Sequence, residues 1–150
     1  MPFFHSKSPA DTRKLGKNFA KSLLGGEVLA LYGGLGAGKT EFIKGLAVGL
    51  GIKKLINSPT FVILKSYRAP VGKKIRSLLH FDLYRVNDFF GADASEWIES
   101  MNCSDCITAI EWPEKFGPRL PRRAFKITLA YGKKKNQRTI QITKPKWRVR

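Results

Sequence analysis

Acidic residues are what this chain has least of, and its last quarter has none. Against 28 Lys and Arg stand 11 Asp and Glu, a net charge of +17 over 150 residues. The imbalance is uneven. Residues 1–81 carry +11, residues 82–114 carry −7 with Arg85 as their one cation, and Lys115–Arg150 holds 13 basic residues without an acid. Such a one-signed region either attracts a polyanion, with RNA the usual one, or is simply a solubilising surface. Long apolar runs are also missing: no stretch approaches the ~20 residues that span a bilayer. The N-terminal "MPFFHSKSPADTRKLGKNF" has no apolar signal core, which predicts a cytoplasmic protein without a membrane role. Cysteine is limited to Cys103 and Cys106, too few and too close to staple a fold of this size. That lone C-x-x-C has no second ligand pair, and His5 and His80 are the only histidines, so metal or redox chemistry there lacks support. No repeat or low-complexity linker divides the chain, which reads as one domain, 1–150, with loose ends at 1–7 and 144–150.

What is present has a clear order. Ser8 as N-cap, Pro9 at the first helical position and Asp11 three residues after the cap begin a helix. Leu15, Phe19 and Leu23 give it one apolar face, and Gly25-Gly26 end it. "EVLALYG" then reads as a strand buried on both faces, followed by a glycine-rich turn and a helix from Lys39 to about Leu50. In that helix Gly45 and Gly49 would let another element approach closely. Strand-like segments follow at 61–67, 77–84, 106–112, 124–131 and 138–143, with an acidic helix between 87 and 102. The last two strands flank "GKKKNQ" and predict a hairpin. This succession argues α/β with a central, mostly parallel sheet.

Chemistry concentrates in a few short motifs. "GGLGAGKT", Gly33–Thr40, satisfies G-x-x-x-x-G-K-[ST] between a strand and a helix, the context that distinguishes a phosphate loop from a chance match. Its glycines let backbone N–H groups curl around phosphate oxygens, and the new helix adds free N–H groups. Lys39 then reaches the β/γ-phosphates and the Thr40 hydroxyl ligates Mg²⁺. Such a site needs a carboxylate at a neighbouring strand tip, and two strands supply one: Glu111 in "ITAIE" and Asp82 in "LLHFD". In "NSPTF", the Ser58 and Thr60 hydroxyls either sense a γ-phosphate or cap a strand. His80 shares a strand face with Asp82 by the two-residue period, and either orients that carboxylate or is a satisfied core histidine.

Together, "GGLGAGKT", "NSPTF", "HFDLYR" and "IEWPE" resemble the TsaE (YjeE) family of small bacterial P-loop ATPases, over about Thr12 to Leu120. The resemblance implies an α/β, P-loop NTPase-like three-layer fold with a central mixed, mostly parallel sheet, ATP and Mg²⁺ as cofactors, TsaB and TsaD as partners, and a part in threonylcarbamoyladenosine formation on tRNA. It implies ATP hydrolysis that is weak alone and raised by those partners, with tRNA met indirectly or through the basic surface. By motif, the phosphate-binding run is Gly33, Gly34, Leu35, Gly36, Ala37, Gly38, Lys39, Thr40 and Glu41. Thr40 and Glu111 fall to the metal, Asp82 to the attacking water, and Thr60 to a switch-like loop. Trp112 falls beside the nucleotide, Thr12 near its base, and Arg138 at a late basic position. The chain departs from the pattern in Gly34, where an acid is common, in Glu41, where a small hydroxyl residue is usual, and in its acid-free C-terminal region.

Rival readings meet further absences. A GTPase would carry an Asn-Lys-x-Asp base-reading motif, and none occurs. A small-molecule kinase needs an acceptor pocket and lid that the sequence does not place. A basic RNA-binding module with a structural loop would interleave aromatics with its cations, whereas Trp147 is the only aromatic after residue 131.

Overall fold

A computed structural model describes residues 2–57, 63–87 and 93–146. Ser58, Thr60, Trp147 and the first two residues of the expected 61–67 strand lie outside them. Helix α1 (Pro9–Ala20) begins as its sequence dictates: the Ser8 hydroxyl accepts the Asp11 N–H, and the Asp11 carboxylate accepts the Lys7 N–H at 2.9 Å. The residues before it correct an expectation. Phe3–Ser6 are no loose end but a strand, β1, held by pairing to a segment more than a hundred residues away.

The sheet is built outward from its most apolar strand. β2 (Val28–Tyr32) lies between β5 (Cys106–Glu111) and β6 (Phe125–Tyr131), parallel to both, and β4 (Ser77–Asp82) runs parallel to β5. Antiparallel strands complete each margin: β3 (Leu64–Arg68) on β4, β7 (Arg138–Thr143) on β6, and β1 on β7. The order is β1-β7-β6-β2-β5-β4-β3, with β6 and β7 forming the expected hairpin. The sheet is therefore mixed, with a parallel centre. "Mostly parallel" describes only its four middle strands, since the six ladders divide evenly.

Helices α1 and α2 (Lys39–Gly49) cover one face, where Phe42, Ile43 and Leu46 bury against Leu29, Leu31 and Ile127. Each such fully buried side chain is worth about 1.5–3 kcal/mol in area removed from water. Helix α3 (Asp93–Ser100) and a 3₁₀ segment, Pro113–Arg119, cover the other face over Val28, Phe81 and Ile110. The two helices of the first layer touch through backbone. A Cβ built on Gly45 would lie 2.0 Å from the Arg13 carbonyl oxygen, so only glycine fits there. A disulfide joins Cys103 and Cys106 across the turn entering β5, their Cα atoms 5.3 Å apart. Among the described residues no helix is long and apolar enough to cross a membrane.

Candidate functional site

Because β2, β4 and β5 run parallel, their C-terminal ends open on one edge of the sheet, the usual ligand edge of such folds. The turn after β2, Gly33–Gly38, lies there and feeds directly into α2. Gly38 occupies the N-cap in a left-handed conformation, φ 103°, which any residue with a Cβ would adopt only at a cost. The first helical hydrogen bond is Phe42 N–H to Gly38 carbonyl at 3.0 Å. The N–H groups of Lys39, Thr40 and Glu41 therefore have no intrahelical acceptor, and the helix presents its positive end to the loop.

Lys39 is almost wholly buried, and its ammonium donates to the carbonyls of Gly33 and Gly34, the latter at 3.3 Å. It also lies 3.8 Å above the Trp112 ring. Burial pushes its pKa down, while the nearby Glu111, Glu114 and Asp82 carboxylates pull the other way. Trp112 is brought there by a left-handed backbone, φ 58°, the only positive φ outside glycine among the described residues. Its ring packs on Tyr84, centroids 5.0 Å apart.

Glu111 and Asp82 end adjacent strands as direct partners in the ladder. Their surroundings differ. Glu111 is buried, and one of its carboxylate oxygens accepts the Thr40 hydroxyl at 2.8 Å and faces His80 Nε2 at 3.0 Å. A carboxylate has no proton to give, so Nε2 is the donor. His80 is fully buried, and its Nδ1 has no hydrogen-bond partner among the described residues. The sequence left His80 either to orient Asp82 or to sit satisfied in the core; the carboxylate it meets is instead Glu111, on the neighbouring strand. Asp82 is partly exposed, and its Oδ1 accepts the Tyr84 N–H at 3.0 Å. A partly exposed hydroxyl and a buried carboxylate sharing one contact are hard oxygen donors of the kind Mg²⁺ prefers, so the residues fit that ion.

The outlying candidates divide. Thr12 is buried, hydrogen-bonded to the Ser6 hydroxyl at 2.8 Å, and close to the loop: a Cβ on Gly38 would sit 3.7 Å from its Cγ2. Arg138 reaches the loop itself, donating to the Gly36 carbonyl at 3.0 Å and lying 4.8 Å over the Tyr131 ring. The Tyr131 hydroxyl donates to the Leu35 carbonyl, a contact the sequence did not signal because Tyr131 merely ends an alternating strand. Tyr131 and Arg138 also line a cavity of about 550 Å³, with Ser6, Lys7, Lys133 and Thr139 around it. Ala37 is buried under the loop, and Gly34, Leu35 and Gly36 are exposed on it. The Glu41 side chain turns away to α1 and pairs with Arg13 and, at 3.0 Å, with Lys44. Burial raises its carboxyl pKa, but the Lys44 and Arg13 hydrogen bonds prevail and hold it below the usual range. Thr60, the remaining candidate, lies outside the described residues.

A sequence profile described as "Threonylcarbamoyl adenosine biosynthesis protein TsaE" matches residues 6–140. The chain belongs to the TsaE family. Among its relatives, the tRNA threonylcarbamoyladenosine biosynthesis protein TsaE of Aquifex aeolicus is 44% identical over 114 residues, 75% of this chain and 77% of that one. The Treponema pallidum TsaE is 39% identical over 127 residues, covering 83% and 87% of the two chains. The crystal structure of Bacillus subtilis YdiB shares the fold with a TM-score of 0.74 at 30% identity, over 96% of this chain and 85% of that one. The TsaE match thus spans the glycine-rich loop, both strand-tip carboxylates and Arg138 together.

Proposed function

We propose that this protein is a Mg²⁺-dependent ATPase of tRNA threonylcarbamoyladenosine formation, working in the cytoplasm with TsaB and TsaD. The observation that carries the reading is the contact between the Thr40 hydroxyl, at the start of α2, and the buried Glu111 at the tip of β5. It joins the loop that would hold phosphates to the carboxylate that would hold their metal. The free N–H groups of Lys39, Thr40 and Glu41 and the Lys39 ammonium would take the β- and γ-phosphate oxygens. Thr40 and Glu111 would hold Mg²⁺, which when bound neutralises charge on those oxygens. Asp82, beside Glu111 but more exposed, would accept a hydrogen bond from the attacking water and fix its direction. The cavity beside Arg138 and Tyr131 is of ordinary small-molecule size, roughly 300–1,000 Å³, and would take the base.

Slow turnover alone would fit a site whose water-directing carboxylate lies partly open to solvent, and docking of the partners would close it. The test is ATP turnover with and without Mg²⁺, for the protein alone and with TsaB and TsaD added. Turnover should need Mg²⁺, rise with the partners, and disappear in Lys39→Ala together with ATP binding. Turnover in none of these conditions, or turnover indifferent to Mg²⁺, would refute the assignment.

A further inference from the structure

The described helices cover only half of one side of the sheet. The buried cluster beneath α3 and the 3₁₀ segment draws on β2, β4 and β5 and includes no residue of β1, β6 or β7. On β6 and β7, Ile127, Leu129 and Ile140 are buried toward α1 and α2. Their alternate neighbours point the other way by the two-residue period. The register sets those neighbours in rows: Phe3 beside Gln141 and Thr128, His5 beside Thr139 and Ala130. Phe3 is 58% exposed, and the exposed Lys126 holds its ammonium 5.1 Å over the Tyr32 ring. The result is a polar sheet face carrying aromatic rings.

Its charge has one sign over β1, β6 and β7, while at the β2 margin Glu114 lies near Tyr32. Lys133, Lys134 and Lys135 form the hairpin tip, Lys144 and Lys146 leave β7, and all five are exposed. The ion pairs among the described residues involve none of them, nor Lys126. No Asp or Glu occurs in residues 1–10 or after Glu114, the stretches that supply β1, β6 and β7. From this we infer that the outer face of β1, β7 and β6, through Phe3, Tyr32 and its lysines, binds RNA in single-stranded form, its rings stacking bases and its lysines following the phosphates. An acidic protein partner fits less well, because protein interfaces are depleted in lysine and this surface has almost no other cation. The face lies across the sheet from α1 and α2 and uses no residue assigned above to the phosphates or the metal, while His5, Lys133 and Thr139 at its rim also line the cavity proposed for the base. The inference is consistent with a protein of tRNA modification but does not depend on its being an ATPase.

Binding of the full chain to a fluorescein-labelled tRNA transcript and to a labelled oligouridylate, read by anisotropy at several salt concentrations, tests this. Phe3→Ala should weaken both by about fivefold or more, the lower end of what a lost base stack costs. Lys126→Glu should weaken both and reduce the slope of log affinity against log salt by about 0.7–1. Lys73→Glu, a reversal of an exposed lysine at the opposite sheet margin, should alter binding far less. Melting curves and ATP turnover on the same preparations should stay near wild type, so failure of the RNA proposal and failure of the ATPase reading are separable. The proposal is overturned if Phe3→Ala and Lys126→Glu bind RNA as the wild type does, or if Lys73→Glu costs as much as Lys126→Glu. It is also overturned if polyglutamate competes with RNA as well as unlabelled oligouridylate does.

Discussion

His80 shows how much a single buried side chain can set. Its Nε2 lies 3.0 Å from the Glu111 oxygen that also receives the Thr40 hydroxyl, so it fixes where that carboxylate points. Groups that support metal ligands in this way typically change metal affinity 10–100-fold when removed. His80→Ala should therefore raise the Mg²⁺ concentration for half-maximal turnover about tenfold or more. Nucleotide binding measured without Mg²⁺ should change little. A cavity left by the ring would lower thermal stability as well, but a purely structural loss would not single out the Mg²⁺ dependence. His80→Gln, which keeps a donor at similar reach, should recover part of it. An unchanged Mg²⁺ requirement in His80→Ala would mean that the histidine only fills space. The sequence could not choose His80's partner. Glu111 lies on the neighbouring strand, diagonally beyond His80's own ladder partner Ala109, and which strands are adjacent and in what register is decided by the fold.

At the scale of elements, legibility followed locality. The glycine-rich turn, its strand and its helix could be read directly because their signals are contiguous: apolar run, glycines, then Lys39 and Thr40. The capped start of α1 and the β6–β7 hairpin were legible for the same reason. β1 was not, because "FFHS" has four residues and no period of its own and becomes a strand only by pairing with Arg138–Gln141. Arg138 and Tyr131 likewise reach the loop through strand order, which no local pattern states. The α1–α2 contact was partly legible, since glycines four apart predicted a close neighbour without naming it. That contact yields a test in which two effects have opposite signs. Replacing a helix-interior glycine by alanine ordinarily stabilises by up to about 1 kcal/mol. At Gly45 the added Cβ meets the Arg13 carbonyl at 2.0 Å, and backbone cannot swing aside as a side-chain end would. Gly45→Ala should therefore destabilise by about 1–3 kcal/mol, and the melting temperature should fall by about 2–4 °C for each kcal/mol. A rise in melting temperature would show that the two helices have room between them.

For the whole molecule, the net charge of +17 is itself a term in stability. Two unit charges 20 Å apart in water repel by about 0.2 kcal/mol before screening, and a large excess of cations makes many such pairs. Folding draws them from a chain with a radius of roughly 40 Å into one of roughly 15 Å, so the repulsion works against the native state. Added salt weakens it, because the screening length falls from about 10 Å at 0.1 M to about 3 Å at 1 M. Salt also weakens the favourable surface pairs, of which Glu41 with Arg13 and Lys44 is the main cluster among the described residues. Those pairs are partly exposed and contribute only about 0.2–1 kcal/mol each, less than the summed repulsion they oppose. The melting temperature should consequently rise as sodium chloride goes from 50 to 500 mM, roughly, while RNA affinity falls over the same range. Chloride must be the anion, because phosphate or sulfate would stabilise by other routes. A melting temperature that is flat or falling with chloride would mean the cations are too widely spread to oppose folding. The basic margin would then matter only to what it binds.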